Sequence, residues 1–338
     1  MLNADVEVDR RDFTVRVAFA VAPGERLALF GPSGAGKTTI LEVIAGLVPP
    51  RRGTVQLSGR VLTRTERPRC AVPPWRRRVG LLRQDPALFP HLSVRQNLTY
   101  APGAASRGEE IGQIASRLGI SELLGDRPAR LSGGQAHRVA LGRLLLAHCD
   151  ALLLDEPYTG LDASLRRDLT DLVRDLVAAR KVPAVLVAHE LDAAQAFADR
   201  LAVLDRGQIL QAGSPSEVVT GPASRRVAEL VGYRCFLPLH GSATPDRTPD
   251  GTPDGTVAGV HPERVTPGAQ PDRGLVLTGQ VTSCRPAGAS WEAVIDVAGE
   301  ALTVRLPDKP DTGEIVLTLL DPPYFGPDGA RLLAQVPQ

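Results

Sequence analysis

Residues 31–38 read Gly31-Pro32-Ser33-Gly34-Ala35-Gly36-Lys37-Thr38, the spacing G-x-x-x-x-G-K-[ST]. Glycines at these positions let successive backbone N–H groups approach an oxyanion, and a helix that follows points its positive dipole end at it. The spacing therefore predicts a nucleotide-phosphate loop, with Lys37 on the β- and γ-phosphates and the Thr38 hydroxyl on Mg²⁺. Lysine is scarce, with only Lys37, Lys181 and Lys309 in the chain, so a chance match is on the order of one in a few hundred. Much further along, the apolar run Ala151–Leu154 ends in two carboxylates, Asp155 and Glu156. Carboxylates at the C-terminal end of a parallel strand face the crevice where α/β folds bind ligands. Asp155 is expected to hold Mg²⁺ through water, and Glu156 to polarise the attacking water as general base.

These groups need a rigid frame. Leu27-Ala28-Leu29-Phe30 is a short apolar run that stops at Gly31, and a helical apolar pattern follows through Ile40, Leu41, Val43, Ile44 and Leu47. Strand, glycine loop and helix are the context the phosphate loop requires. Continuous apolar runs at 151–154 and 184–188 predict a parallel sheet covered on both faces. Residues 6–22 alternate in a way that predicts edge strands, and about 92–149 is expected to be a helical subdomain. The fold class is thus α/β. Near residue 241 the composition changes to a Thr-Pro-Asp repeat without apolar residues, which predicts a linker over 241–256. Beyond it, short strands at 275–284, 291–298, 301–306 and 314–320 predict a small all-β barrel over 257–338, leaving 1–235 as the nucleotide-binding domain.

Composition excludes several classes. No apolar stretch approaches the roughly 20 residues that span a bilayer, and the N-terminus lacks the basic and apolar regions of a signal peptide. Four widely spaced cysteines, Cys70, Cys149, Cys235 and Cys284, predict reduced thiols rather than a zinc site or disulfide framework. A net charge of +1 disfavours a general polyanion binder, so no nucleic-acid partner is expected. The one tight basic run, Trp75-Arg76-Arg77-Arg78, reads as a solvated loop before a strand at 79–82.

Leu131-Ser132-Gly133-Gly134-Gln135 supplies the second half of the pattern. Ser132 and Gly134 precede a helix expected near Gln135, where backbone and hydroxyl can bind an anion. A plain helix cap accounts for Ser132 but not for the glycines and Gln135 that follow. Together with the loop at 31–38 this pentapeptide resembles the signature of ATP-binding cassette ATPases. The resemblance covers residues 1–232 and implies a P-loop cassette that hydrolyses ATP as a head-to-tail homodimer. Ser132, Gly133, Gly134 and Gln135 would close over ATP held by the other copy. It further assigns Gly31, Pro32, Ser33, Gly34, Ala35, Gly36, Lys37, Thr38 and Thr39 to the phosphates. Gln84 would sense Mg²⁺ and water, His189 would reach the γ-phosphate, Asp162 would lie at the dimer interface, and Phe13 would stack on adenine. The chain departs from the pattern at Arg83, at Ala136-His137-Arg138 and at Thr159-Gly160, none of which removes a catalytic group.

Gly259–Val265 resembles the lead-in to the β-barrel of importer ATPases. Arg77–Tyr100 and Gly142 look most like the molybdate type. The resemblance implies separate permease subunits, an indirect solute-binding protein partner, and a peripheral place on the cytoplasmic face of the membrane. Asp272, in Pro271-Asp272-Arg273-Gly274, would repel an oxyanion in the barrel. Sulfate, iron, polyamine and sugar import, and soluble remodelling of a cytoplasmic partner, remain the alternatives.

Overall fold

The computed structural model describes residues 1–101, 108–158, 161–239, 255–297 and 299–332. They form two compact units, Met1–Pro215 and Ser216–Gln338. The first unit contains β1 (Leu2–Asp9), β2 (Thr14–Val21), β3 (Arg26–Phe30), α1 (Lys37–Ala45), β4 (Arg52–Leu57), β5 (Arg60–Arg64), β6 (Cys70–Ala71) and β7 (Val79–Leu82). It continues with α2 (Val94–Leu98), α3 (Gly108–Arg117), α4 (Gly133–Leu146), β8 (Ala151–Asp155), α5 (Ala163–Arg180), β9 (Ala184–Ala188), α6 (Leu191–Phe197), β10 (Arg200–Asp205) and β11 (Gln208–Gly213).

All eleven strands join one sheet in the order β6-β5-β4-β1-β2-β11-β10-β3-β9-β8-β7. The segment β10-β3-β9-β8-β7 is parallel. β8 and β9 are buried at every position, as expected of strands covered on both faces. The other arm is antiparallel. Here the expectation of edge strands at 6–22 is corrected: β1 lies between β2 and β4, and β2 between β1 and β11. Their alternation records one covered face, with Leu2, Ala4, Val6, Val8, Val15 and Val17 all buried in the core, and not an open edge.

α1 follows the apolar pattern through Ile44, but Leu47 lies outside it and is 46% exposed. Gly46 ends the helix at φ 82°, where a Cβ would come within 2.3 Å of the buried Arg77 side chain. That guanidinium donates to Val43 O at 3.1 Å, Ile44 O at 2.9 Å, Val72 O at 2.7 Å and Thr63 Oγ1 at 2.8 Å. Arg77 thus satisfies the last carbonyls of α1 and ties them to the antiparallel arm. Between β7 and β8 the described elements are helical, α2 packing on α4. Gly142 sits at that contact: a Cβ there would lie 2.7 Å from Leu118 and 2.8 Å from Leu98.

The second unit contains α7 (Pro215–Thr220), α8 (Arg225–Leu230), β12 (Cys235–Pro238), β13 (Val257–Val260), β14 (Val265–Pro267), β15 (Gly274–Ala287), β16 (Ser290–Val297), β17 (Glu300–Leu306), β18 (Glu314–Leu320), β19 (Tyr324–Phe325) and β20 (Arg331–Leu332). Two sheets, β14-β18-β15-β16-β17 and β12-β13-β19-β20, share one core that includes Leu237, Val260, Ile295, Leu302 and Leu319. The division after Pro215 lies ahead of the expected boundary at 235. Its physical reason is that residues ahead of 235 are already tied to the β-rich unit: Ser224 bridges Ala330, Arg225 N donates to Gly329 O at 2.9 Å and Arg234 N to Val260 O at 3.3 Å, before β12 pairs with β13. Most of the Thr-Pro-Asp repeat lies outside the described residues, while Thr256 is fully buried.

Candidate functional site

Four adjacent parallel strands deliver the chemistry-bearing residues from their C-terminal ends. β3 runs into the loop at Gly31, β7 stops just before Gln84, β8 ends at Asp155-Glu156, and β9 ends just before His189. The crevice beyond such ends is where α/β sheets bind ligands. It holds a cavity of about 620 Å³ lined by Phe13, Ser33, Gly34, Gly36, Lys37, Thr38, Thr39, Gln84, Glu156 and His189. The far wall is the turn from β1 to β2: Asp9, Arg10, Arg11 and Asp12.

The loop is shaped by its glycines. Gly31, Gly34 and Gly36 have φ of 154°, 81° and 101°, and a Cβ on Gly31 would lie 2.0 Å from Leu204 O. Gly36 caps α1, which begins at Lys37, so the first N–H groups of that helix open onto the loop. Lys37 is 4% exposed, and its Nζ donates to Gly31 O at 2.7 Å and Pro32 O at 2.9 Å. Burial pushes the Lys37 ammonium below its ordinary range, and the charges of Glu156 and Asp155 oppose that shift. Burial likewise pushes the Asp155 carboxyl up, against the hydrogen bond from the Thr38 hydroxyl at 3.2 Å. Glu156 Oε1 meets His189 Nε2, so strands β8 and β9 place a carboxylate and an imidazole in contact.

The ABC transporter family profile matches residues 15–159, which carry the phosphate loop and the two carboxylates. An Fe(3+) ions import ATP-binding protein (FbpC 1) of Rhodococcus jostii is 39% identical over 72% of this chain and 70% of that protein. The chain belongs to the ABC transporter family. A molybdenum import ATP-binding protein (ModC) of Mycobacterium tuberculosis is 43% identical over 71% of the chain. The match spans 66% of that relative, just under two thirds of its length. Among solved structures, a bacterial Atm1-family ABC exporter with ATP bound aligns at a TM-score of 0.57 and 28% identity. That alignment covers 68% of this chain and 41% of the exporter.

Two other elements singled out by sequence lie outside the lining of that cavity. Ser132 caps α4, which starts at Gly133 rather than near Gln135. Its Oγ accepts from Gln135 N at 3.3 Å, and Ser132 N donates to Gln135 Oε1 at 2.8 Å. The reciprocal pair is a capping box, so capping explains Gln135 as well as Ser132, contrary to the sequence expectation. Gly133 is still not explained: a Cβ there meets nothing within 4 Å, and its φ is not positive. Asp162 caps α5 by accepting from Leu165 N at 2.9 Å and is exposed. The departure at Thr159-Gly160 lies outside the described residues.

Sequence reasoning missed the Asp9–Asp12 wall. The only signal was a charged turn between alternating strands, next to Phe13, and no spacing rule distinguishes it from any hairpin. It also read Arg77 as part of a solvated run, whereas Arg77 is 5% exposed. Among the described residues no three His, Cys, Asp or Glu side chains gather into a metal cluster. Nor, among the described residues, is any helix long and apolar enough to cross a membrane.

Proposed function

We propose that this cassette is the ATP-hydrolysing subunit of an importer, working as a head-to-tail homodimer beneath separate permease subunits at the cytoplasmic face of the membrane. The observation that carries the reading is the Glu156–His189 contact, set in one cavity with Lys37, Thr38 and Gln84. In this reading the γ-phosphate rests on the N–H groups of 34–39, with the Lys37 ammonium against the β- and γ-oxygens. Phe13 stacks on the adenine, and Arg10 and Arg11 flank it. Glu156 accepts the proton of the attacking water as the new oxygen–phosphorus bond forms. The old bond to the β-phosphate oxygen breaks, and ADP leaves with that electron pair. His189 Nε2–H holds the carboxylate and donates towards a γ-phosphate oxygen as negative charge shifts.

Mg²⁺ fits the donors present. Thr38 Oγ1 and Asp155 Oδ1 stand side by side, Gln84 lines the same cavity as Thr38, and among the described residues no cage of His, Cys or carboxylates competes. Such a sparse oxygen set suits an ion that keeps waters and shares phosphate oxygens. Thr38, Asp155 and Gln84 would hold it, and when bound it neutralises charge on the β- and γ-oxygens.

The dimer reading is supported by the signature. Its exposed N-terminus of α4 and the unconstrained Gly133 leave bare backbone outside the cavity of its own chain. There they suit an anion held by a second copy. The solute is proposed to be molybdate or a related oxyanion, because the molybdenum relative is 43% identical. Iron is the second reading, favoured by the R. jostii relative, of which a larger share is matched. ATPase activity measured with candidate permeases in lipid discs tests both. Stimulation by molybdate-loaded binding protein supports the proposal, and stimulation by iron-loaded protein alone replaces the solute.

A further inference from the structure

The antiparallel arm of the sheet carries a concentration of positive charge that the hydrolytic site does not use. Nine of the 28 residues from Arg51 to Arg78 are arginine and one, Glu66, is acidic, although the whole chain has a net charge of only +1. Arg51, Arg52 and Arg78 are paired with carboxylates, and Arg77 is buried. Arg60, Arg64, Arg67, Arg69 and Arg76 have no carboxylate within ion-pair distance among the described residues. Trp75 stands just before Arg76, Arg77 and Arg78 on a single turn of 3₁₀ helix over Pro74–Arg76. It is 82% exposed, the most exposed large apolar side chain among the described residues.

The surface is held firmly. Arg60 Nη1 donates to Arg76 O at 3.1 Å, bringing β5 under the turn. The next residue, Arg77, bonds the last carbonyls of α1. An indole kept in water on a braced turn gains nothing for the fold. Beside Arg76, and with Arg60 bonded under its turn, it has the makeup of a side chain that rests in the headgroup layer of a bilayer, apolar ring inward and arginines on phosphates.

We propose that Trp75, with Arg60 and Arg76, is a docking surface for an anionic lipid bilayer. A bilayer fits better than nucleic acid because the patch presents one indole rather than a row of stacking platforms. The inference uses the importer reading only for the proximity of a membrane. The binding itself needs neither ATP nor a permease, so the two can fail separately.

The test uses the full chain with vesicles of phosphatidylcholine, with or without about a third phosphatidylserine, at about 0.1 M salt. Co-sedimentation is the first readout. The second is Trp75 fluorescence in a Trp291→Phe background, since Trp75 and Trp291 are the only tryptophans. The proposal expects binding to the anionic vesicles alone, a blue shift of Trp75 emission, and loss of both at about 1 M salt. Arg60→Ala and Arg76→Ala are each expected to weaken binding about fivefold, the equivalent of about 1 kcal/mol per arginine at a membrane surface. Trp75→Ala should abolish the partition while ATP binding, the control for folding, is unchanged. Equal binding by all three variants, absence of binding, or tighter binding to duplex DNA than to the vesicles would overturn it.

Discussion

Glu156 holds φ at 52°, a left-handed conformation that costs a non-glycine residue about 1 kcal/mol or more. The backbone is kept there by Glu156 N donating to Val187 O at 3.2 Å, and the twist turns the carboxylate from the strand towards His189. Glu156→Gly should therefore raise thermal stability by about 1 kcal/mol while removing hydrolysis; melting and phosphate release measured on the same sample check it. Lys37 belongs to the same scale. Its ammonium already spends two hydrogen bonds holding Gly31 and Pro32 in place. Lys37→Ala thus removes a brace of the loop together with the proposed phosphate contact. ATP affinity should fall about 10- to 100-fold, the cost of charge-assisted hydrogen bonds worth about 1.5–3 kcal/mol. Calorimetric titration with ATP measures it, and unchanged affinity would remove the loop assignment.

Elements divide by how local their causes are. The glycine loop, the start of α1 and the β8 strand with its carboxylates were legible because their spacing and apolar pattern are local in sequence, although the contact that demands glycine at 31, Leu204 O, is distant. Gly36 caps the helix that starts one residue later, and Asp155 ends the strand it belongs to. Leu47 broke the helical pattern for a distant reason, since Gly46 and Arg77 end α1 across 31 positions of chain, 77 minus 46. The same holds for β12, whose partner β13 lies beyond the repeat, and for the Asp9–Asp12 wall, which lines one cavity with Ser33, Lys37 and His189 from distant parts of the chain. Gly142 is an intermediate case. Its likeness to the molybdate type was legible, but the reason, the close approach to Leu98 and Leu118, needed the packing. Arg77→Met should cost about 3 kcal/mol, because carbonyls of α1 lose a buried charged donor. Chemical denaturation quantifies this, and a cost below about 0.5 kcal/mol would mean that water replaces the guanidinium.

At the scale of the molecule, each unit has its own core, so the fragment 216–338 is expected to fold alone, with the strands around Ile295 and Leu302 intact. Strand-type circular dichroism with a cooperative melt supports this, and a featureless melt contradicts it. In the first unit, Asp199 clamps the start of β3: its carboxylate accepts from Arg26 N and Nε, both at 3.0 Å. The hydrogen bond from Arg26 holds the Asp199 carboxyl below its ordinary value of 3.8. The unfolded chain therefore binds that proton more readily. The stabilisation is complete above the ordinary value and disappears as pH falls through the lowered one. Because Asp199 is 44% exposed, Asp199→Asn should cost only about 1 kcal/mol or less at pH 7, with the difference from wild type shrinking as pH falls through the lowered value.

All of this serves one claim, that two copies close over ATP and that Glu156 takes the proton of the attacking water. Glu156→Gln keeps the shape of the side chain and removes the base, and light scattering with a single-turnover ATP assay reads both parts at once. The account predicts ATP bound with affinity close to wild type, hydrolysis slowed by about 10²- to 10⁴-fold, the usual contribution of a general base, and a stable dimer in ATP. A variant that hydrolyses like wild type, or one that stays monomeric with ATP bound, would contradict it.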